Sequence, residues 1–443
     1  MRKIDDEIQA LLLEHRGDIR SILKDNHRLD LLYALSSQRE LLLEWYDFEP
    51  EAEVLQVGAD YGALTGLFRS SVRAVTVLDD TESALETVRQ RYPGAANIYY
   101  RKDSLAGYAA EACAESKKYD YVIFAGTLTA PYEKHIHAAK SLLKPDGILI
   151  VASANALGMK YFAGTVEEEN ALTKRQLTEL LCGDRETQSM ADESGALKFY
   201  YPMPDYKTPV SIYSDAYLPK KGDLTRVTPA YDYPPYHLME QGEKFDTVCE
   251  AGLFDLYANS YLVFWSADPK QLQKEDERIF MKYNKTRREE FQIKTCICER
   301  NAAGAETGNK ERYVEKAALS LDGSAHIASF KEKYEKLTKQ HRTLKVAEPK
   351  FAEHRNSVFF PYLVGETCAE KLGEQLEGGQ LPLDVLQIVM NQIYDISPEC
   401  RSAFNRTEEF DEVFGADLTE EEQKLLLSDT ACEVSNIDAL FEN

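Results

Sequence analysis

The stretch Val54 to Gly66, "VLQVGADYGALTG", constrains this chain more than any other. An apolar run enters a glycine turn and leaves it in helix-forming residues, and the same alternation continues downstream. The apolar segments "EVLQVG", "RAVTVLDD", "NIYYRKD", "YDYVIFAG" and "GILIVAS" are separated by helix-prone stretches between Val54 and about residue 152. Strands alternating with helices in this way predict a parallel sheet covered on both faces, a Rossmann-like α/β fold. A strand, glycine turn and helix can hold a dinucleotide, a nucleoside triphosphate, or the adenosine cofactor S-adenosylmethionine (SAM).

Bulk properties remove several classes of function. The formal net charge of −23 would repel a nucleic acid, and no basic patch stands out against it. No uninterrupted apolar stretch approaches the roughly 20 residues of a membrane-spanning helix. The start "MRKIDDEIQALLLEH" carries charges where a signal peptide has an apolar block, so a cytoplasmic protein is expected, with a peripheral place at the inner face of the membrane left open. The eight cysteines are scattered. Only Cys296 and Cys298 lie close together, on a strand-like run, which reads as small buried hydrophobes rather than a metal site or a disulfide framework.

With 443 residues, 44% of them hydrophobic, the chain can bury more than one core. Residues 1–50 read as a helical preface, because "EIQALLLEHRGDIRSIL" spaces its apolar residues at helical intervals. Residues 51–267 hold the alternating region, and "LKFYYPMPDYKTPVSIYS" and "SYLVFWS" add strands to it. Residues 268–290 are charged and predicted to be a helical linker. From 291 to 443, "FQIKTCICE" and "RYVEKAALSL" predict antiparallel strands of a further domain.

The glycine turn lacks the G-x-G-x-x-G of a dinucleotide site and the G-x-x-x-x-G-K of a triphosphate site. It has Gly58 and Gly62. Asp79 would end the second strand, where a carboxylate can accept the ribose hydroxyls of an adenosine, and Asp103 follows the third strand, within reach of an adenine amino group. Adenosine without phosphate fits this set.

With these residues in order, the chain resembles the class I SAM-dependent methyltransferases over residues of roughly 30 to 266. The resemblance is carried by "VLQVGADYGALTG", "VLDDTESAL", "RKDS", "YDYVIFAG" and "LLKPDGILIVAS". It implies a seven-stranded sheet whose last strand pair is a hairpin, with "YLVFWS" as the antiparallel member, and it implies SAM as cofactor. The resemblance also makes Gln56 and Asp60 cofactor-binding candidates: Gln56 stands where the family usually has an acid and can still accept a hydrogen bond, and Asp60 stands where it has a glycine, placing a negative charge near a cofactor carboxylate. Arg39, just before the domain, is a candidate to reach that carboxylate. The alternative is a fold that has lost its cofactor and serves as an assembly module.

Beyond the fifth strand, "SANALGMKYFAG", "FYYPMPDYKTPVSIYSDAYLP" and "LYANSYLVF" resemble a bacterial subfamily associated with surface polysaccharide synthesis. That likeness implies an oxygen acceptor, a hydroxyl or phosphate of a glycan or its precursor, and polysaccharide-synthesis enzymes as partners. Asn155, Lys160 and Tyr161 are the acceptor-site candidates, at the carboxyl edge of the sheet. No general base is identified, because His135 and His137 read as surface histidines. The C-terminal part resembles a protein-kinase-like fold, with Lys316 in a strand, Glu332 and Glu335 in a helix, a hinge at "SVFFPYLVGETCAEKL", and Asp438 and Asn443 at the D-x-x-x-x-N spacing of a catalytic loop. No regular glycine loop and no later metal-binding aspartate accompany them, so the resemblance implies an incomplete α+β domain.

Overall fold

A computed structural model describes residues 2–183, 195–225, 238–301, 310–351, 356–414, 418–428 and 430–432. The chain divides into two compact units, Met1–Asn284 with Cys296–Glu311, and Lys285–Thr295 with Arg312–Asn443.

The first unit opens with three helices, α1 (Arg2–Glu14), α2 (Ile19–Asp25) and α3 (Leu29–Leu35). Ile8, Leu12, Ile22, Leu31 and Leu35 come together at their centre as a small core of their own. The alternating region follows as β1 (Glu53–Val57), α4 (Thr65–Ser71), β2 (Ala74–Asp79), α5 (Glu82–Arg91), β3 (Ile98–Lys102), α6 (Leu105–Ala114), β4 (Tyr119–Ala125), α7 (Tyr132–Ser141) and β5 (Leu143–Ala154). These five strands are parallel, with Leu55 of β1 opposite Thr76 of β2 on one side and Val122 of β4 on the other. The inner strands β1, β2 and β4 are mostly apolar and buried because helices cover both faces, whereas β3 at the edge is more exposed. The second half adds α8 (Met159–Phe162), α9 (Lys174–Cys182), β6 (Ala196–Met203), β7 (Ser211–Ser214), α10 (Gln241–Glu250), α11 (Phe254–Tyr257), β8 (Ser260–Ser266) and β9 (Asp276–Asn284).

The strand order is β9-β7-β6-β8-β5-β4-β1-β2-β3. As expected from "YLVFWS", β8 is antiparallel, and it lies between β5 and β6. Two expectations are corrected. The sheet does not stop at seven strands, because β7 and β9 extend it past β6. The segment 268–290 holds a strand where a helix was predicted. In β9, Ile279, Met281 and Tyr283 are buried at every second position while Arg278, Phe280 and Lys282 on the alternate positions are not, a two-residue period that the charges of the segment disguise.

The main core lies on the sheet face covered by α6, α7 and α9. Elsewhere Trp45, Tyr46 and Phe48 pack edge-on or tilted against Tyr200, Phe264 and Tyr121, which ties the segment after α3 to the sheet. Arg91 of α5 donates to the carbonyls of Ala34, Leu35 and Tyr61, linking the end of α3 to the glycine turn.

In the second unit, β12 (Lys350–Phe351) pairs with β13 (Ser357–Pro361), which is antiparallel to β11 (Lys310–Ala318). The boundary between the units passes within β11 and within the strand before it, β10 (Ile293–Asn301), where Cys296 and Cys298 are both buried. A small core of Ile293, Ile327 and Val358 joins strands to α12 (Ser324–Gln340). Beyond it come α13 (Cys368–Glu377), α14 (Leu383–Tyr394), β14 (Arg401–Ala403), α15 (Glu408–Phe414), α16 (Glu420–Ser428) and β15 (Thr430–Cys432).

Candidate functional site

Strand order turns back between β1 and β4, and open parallel sheets bind ligands at the carboxyl ends of strands flanking such a point. The glycine turn leaves β1 there. Gly58 has φ +87° and its amide donates to the carbonyl of Leu78. A Cβ on Gly58 would sit 2.5 Å from the Thr127 methyl, so no other residue fits against the end of β4. Gly62, at φ +73°, is less tightly enclosed, with a Cβ there 3.1 Å from the Tyr92 ring and 3.3 Å from the Arg91 side chain. Asp60 and Tyr61 between them are also left-handed, at φ 40° and 54°.

Gln56 is buried and holds the turn from beneath. Its amide donates to the carbonyls of Gly58 and Ala59, and its oxygen accepts from the Thr65 hydroxyl. An amide can both donate and accept here, whereas an acid at this position would have no proton for the two carbonyls.

Arg39 and Asp60 pair with each other. The guanidinium Nη2 lies 2.6 Å from the Asp60 carboxylate and also donates to the carbonyl of Ala125 at the end of β4. Arg39 is buried, stacks over the ring of Tyr206 at 5.2 Å, and keeps its Nε–H buried without a hydrogen-bond partner. The charge that Asp60 brings into the turn is thereby neutralised within the fold.

Asp79, at the end of β2, accepts from the amide of Ala59 and from the amide and hydroxyl of Thr81. Three of its roughly four acceptor positions are used, which leaves room for one ligand hydroxyl on Oδ2 and a second through a turn of Thr81. Asp103, half-buried at the next strand end, leans over the first turn of α6, where a Cβ on Gly107 would meet its oxygen. The donor set fits an adenosine: two carboxylates for hydroxyl and amino hydrogens, a glycine cradle, and no lysine in the turn to favour phosphate.

Past the ends of β4 and β5 lies a cavity of about 230 Å³ lined by Gly126, Ser153, Glu168, Glu169, Asn170 and Tyr206, together with Leu128, Ala152 and Ala154. No cation lines it among the described residues. Lys160, fully buried on α8, reaches Glu168 at 2.8 Å and Asp205 at 3.4 Å. Lys207 also pairs with Glu168, and the Tyr206 hydroxyl donates to its other oxygen. Burial alone would raise the Glu168 pKa, but Lys160 and Lys207 outweigh it and bring it down to about 2. The same two carboxylates keep Lys160 protonated in spite of its burial.

Of the acceptor candidates, Lys160 belongs to this network and Tyr161 borders it, its hydroxyl accepting from the amide of Glu168. Asn155 does not face the cavity's chemistry. It is fully buried, donates to the carbonyls of Leu256 and Ala258, and accepts from the amide of Leu157, so its amide group is spent on holding the loop before β8. His135 is tied to the carbonyl of Thr129 and His137 is exposed. Glu168, Asp205, Tyr206 and Lys207 were not anticipated. The signal available was the dense mixture of Tyr, Asp and Lys in "PMPDYKTP", which does not say which partners it meets.

In the second unit, Lys316 lies on β11 against the rings of Phe330 and Phe360. Glu332 pairs with Lys336 of its own helix, and Glu335 is exposed, so both helix glutamates face solvent rather than the strand. Asp438 and Asn443 lie outside the described residues.

No protein-family model matches the chain, and no curated protein matches it. Solved structures that match part of it include the N-methyltransferase NodS of Bradyrhizobium japonicum in complex with S-adenosyl-L-homocysteine, at 19% identity and a TM-score of 0.25 over 33% of this chain and 72% of that one. A TehB-like SAM-dependent methyltransferase of Corynebacterium glutamicum matches at 10% identity and a TM-score of 0.29 over 52% and 86%. An rRNA methylase of Streptococcus thermophilus matches at 16% identity and a TM-score of 0.26 over 40% and 91%. Likeness of this degree leaves function to be read from the site itself. Among the described residues no helix is long and apolar enough to cross a membrane, and no group of three or more His, Cys, Asp or Glu side chains is placed to hold a metal ion.

Proposed function

We propose that the first unit is a SAM-dependent methyltransferase acting on a hydroxyl group of a polar acceptor such as a glycan or its precursor. The observation that carries this reading is the convergence at one sheet edge of the Gly58 turn, Asp79 and Asp103 with the polar cavity beyond β4 and β5. Asp79 and Asp103 would hold the adenosine, and the unpartnered Arg39 Nε–H would serve the amino-acid end. The cofactor, when bound, supplies an electrophilic methyl group. The chain's own task is then alignment of the acceptor and removal of its proton.

Carboxylates, a serine hydroxyl and an asparagine amide suit a polyhydroxylated acceptor. A phosphate acceptor is disfavoured, because two carboxylates and no cation line the cavity. Glu168 is fixed by two lysines and a tyrosine and is too weakly basic to take a proton, so it orients the acceptor. Glu169 is exposed at the cavity and is the group to receive the hydroxyl proton. Transfer of a labelled methyl group from SAM to a panel of oligosaccharides and nucleotide sugars tests the reading, with Glu169→Gln losing turnover and retaining SAM binding. Absence of SAM binding would favour the assembly-module alternative instead. For the second unit, a kinase-like module without phosphotransfer activity remains our reading, favoured by the succession of β11, α12 and β13 and disfavoured as an enzyme by the solvent-facing Glu332 and Glu335.

A further inference from the structure

In the second unit, α14 has the sequence "LDVLQIVMNQIY", eight of whose twelve residues are apolar, yet only Val385 is buried. Ile388 is 58% exposed and Leu383 66% exposed, and on the neighbouring α13 Leu376 is 58% exposed. Between the two helices runs a groove of about 420 Å³ lined by the apolar Val385, Ile388 and Val389 and by Glu366, Glu374, Asp384 and Lys371. Residues 366–395 carry six carboxylates and one basic side chain, Lys371, which pairs with Glu366.

An apolar helix exposed in this way is covered by something when it works. Its charged lining decides what. A second copy of a chain with net charge −23 would bring more negative charge to an acidic lining, and an anionic lipid surface would do the same. We propose that the groove between α13 and α14 docks a cationic amphipathic helix of a partner protein. Apolar side chains at helical spacing would meet the apolar lining, and Lys or Arg on the flanks would meet Glu374 and Asp384, the helix-in-groove mode of recognition. With twelve residues at 1.5 Å each, α14 offers about 18 Å of length, enough for about three turns of partner helix. The proposal rests on the second unit alone and stands or falls separately from the methyltransferase reading.

The test uses the full 443-residue chain and a fluorescent synthetic peptide of leucine and lysine with amphipathic helical spacing, about 12 residues long to match three turns. Anisotropy is expected to show saturable binding that is absent for a leucine–glutamate peptide and for the same leucines and lysines in scrambled order. The double variant Glu374→Lys/Asp384→Lys, at two exposed positions, should weaken binding by about tenfold or more. The double variant Glu14→Lys/Glu115→Lys makes the same change in net charge at exposed positions of the first unit and should leave binding unchanged. Bound peptide should also slow alkylation of Cys368, which lines the groove, without slowing that of the exposed Cys113. Equal weakening by the two double variants, no saturable binding, or unaltered Cys368 alkylation would overturn the proposal. So would self-association of the chain that Ile388→Asp abolishes, since the groove would then be an interface between copies.

Discussion

Arg39 and Asp60 are joined by an ion pair of 2.6 Å across the glycine turn, with the arginine buried and the aspartate partly exposed. Each had its own claim on the cofactor in the sequence, Arg39 as a carboxylate binder and Asp60 as a misplaced charge. Together they cancel. Asp60 in place of glycine therefore leaves the turn electrically neutral, and the left-handed backbone it adopts costs of order 1–3 kcal/mol that the pair offsets.

The pair can be measured directly. Asp60→Asn keeps a residue that tolerates the left-handed region and removes only the charge. A double-mutant cycle of Asp60→Asn with Arg39→Gln, followed by denaturant unfolding, should give a coupling of about 1–3 kcal/mol. Additive single effects would mean that the pair contributes nothing to the fold.

Asn155 is expected to be structural. Asn155→Ala removes both donors from the carbonyls of Leu256 and Ala258 in a fully buried site, and should lower stability by about 2–4 kcal/mol. SAM affinity, measured where the variant is folded, should be unchanged. A variant of full stability that has lost only turnover would return Asn155 to the acceptor site.

The acid limb of stability should depend on Glu168. Its pKa is lowered in the folded protein from the ordinary 4.5 to about 2, so its contribution is complete above pH 4.5 and is lost as pH falls through about 2. The shift corresponds to roughly 3 kcal/mol. Glu168→Gln should be less stable than the parent at pH 7 and should lose less stability between pH 4.5 and 2. Parallel stability curves for the two proteins over that window would contradict the lysine network. Lys160→Met should be more damaging still, by about 3–5 kcal/mol, because it leaves Asp205 and Glu168 buried with less compensation.

The legible part of this chain is local. Apolar runs, the Gly58 turn and the acids ending β2 and β3 are written within a few residues of one another, and each lands at the expected strand end. The cavity was not legible, because Glu168, Tyr206 and Lys207 come from loops separated by about forty residues and meet only through the order of β5, β6 and β8. Asn155 was misassigned because a residue at a strand's carboxyl end can face the ligand or the next loop, and sequence does not distinguish them. β9 was missed because four of its nine residues are charged, and that density conceals the buried Ile279, Met281 and Tyr283.

The most direct test of the account is calorimetric titration of the 443-residue chain with SAM and S-adenosylhomocysteine, repeated on Asp79→Asn. The asparagine can still accept from the Ala59 amide with its one oxygen, while it loses the charge that favours ribose hydroxyls and the second oxygen that accepts from the Thr81 amide. The parent should bind both ligands saturably, and the variant, measured where it is folded, should bind them more weakly by about 1–3 kcal/mol. No heat with the parent at saturating SAM, or undiminished affinity in Asp79→Asn, would contradict the assignment of this turn to an adenosine cofactor.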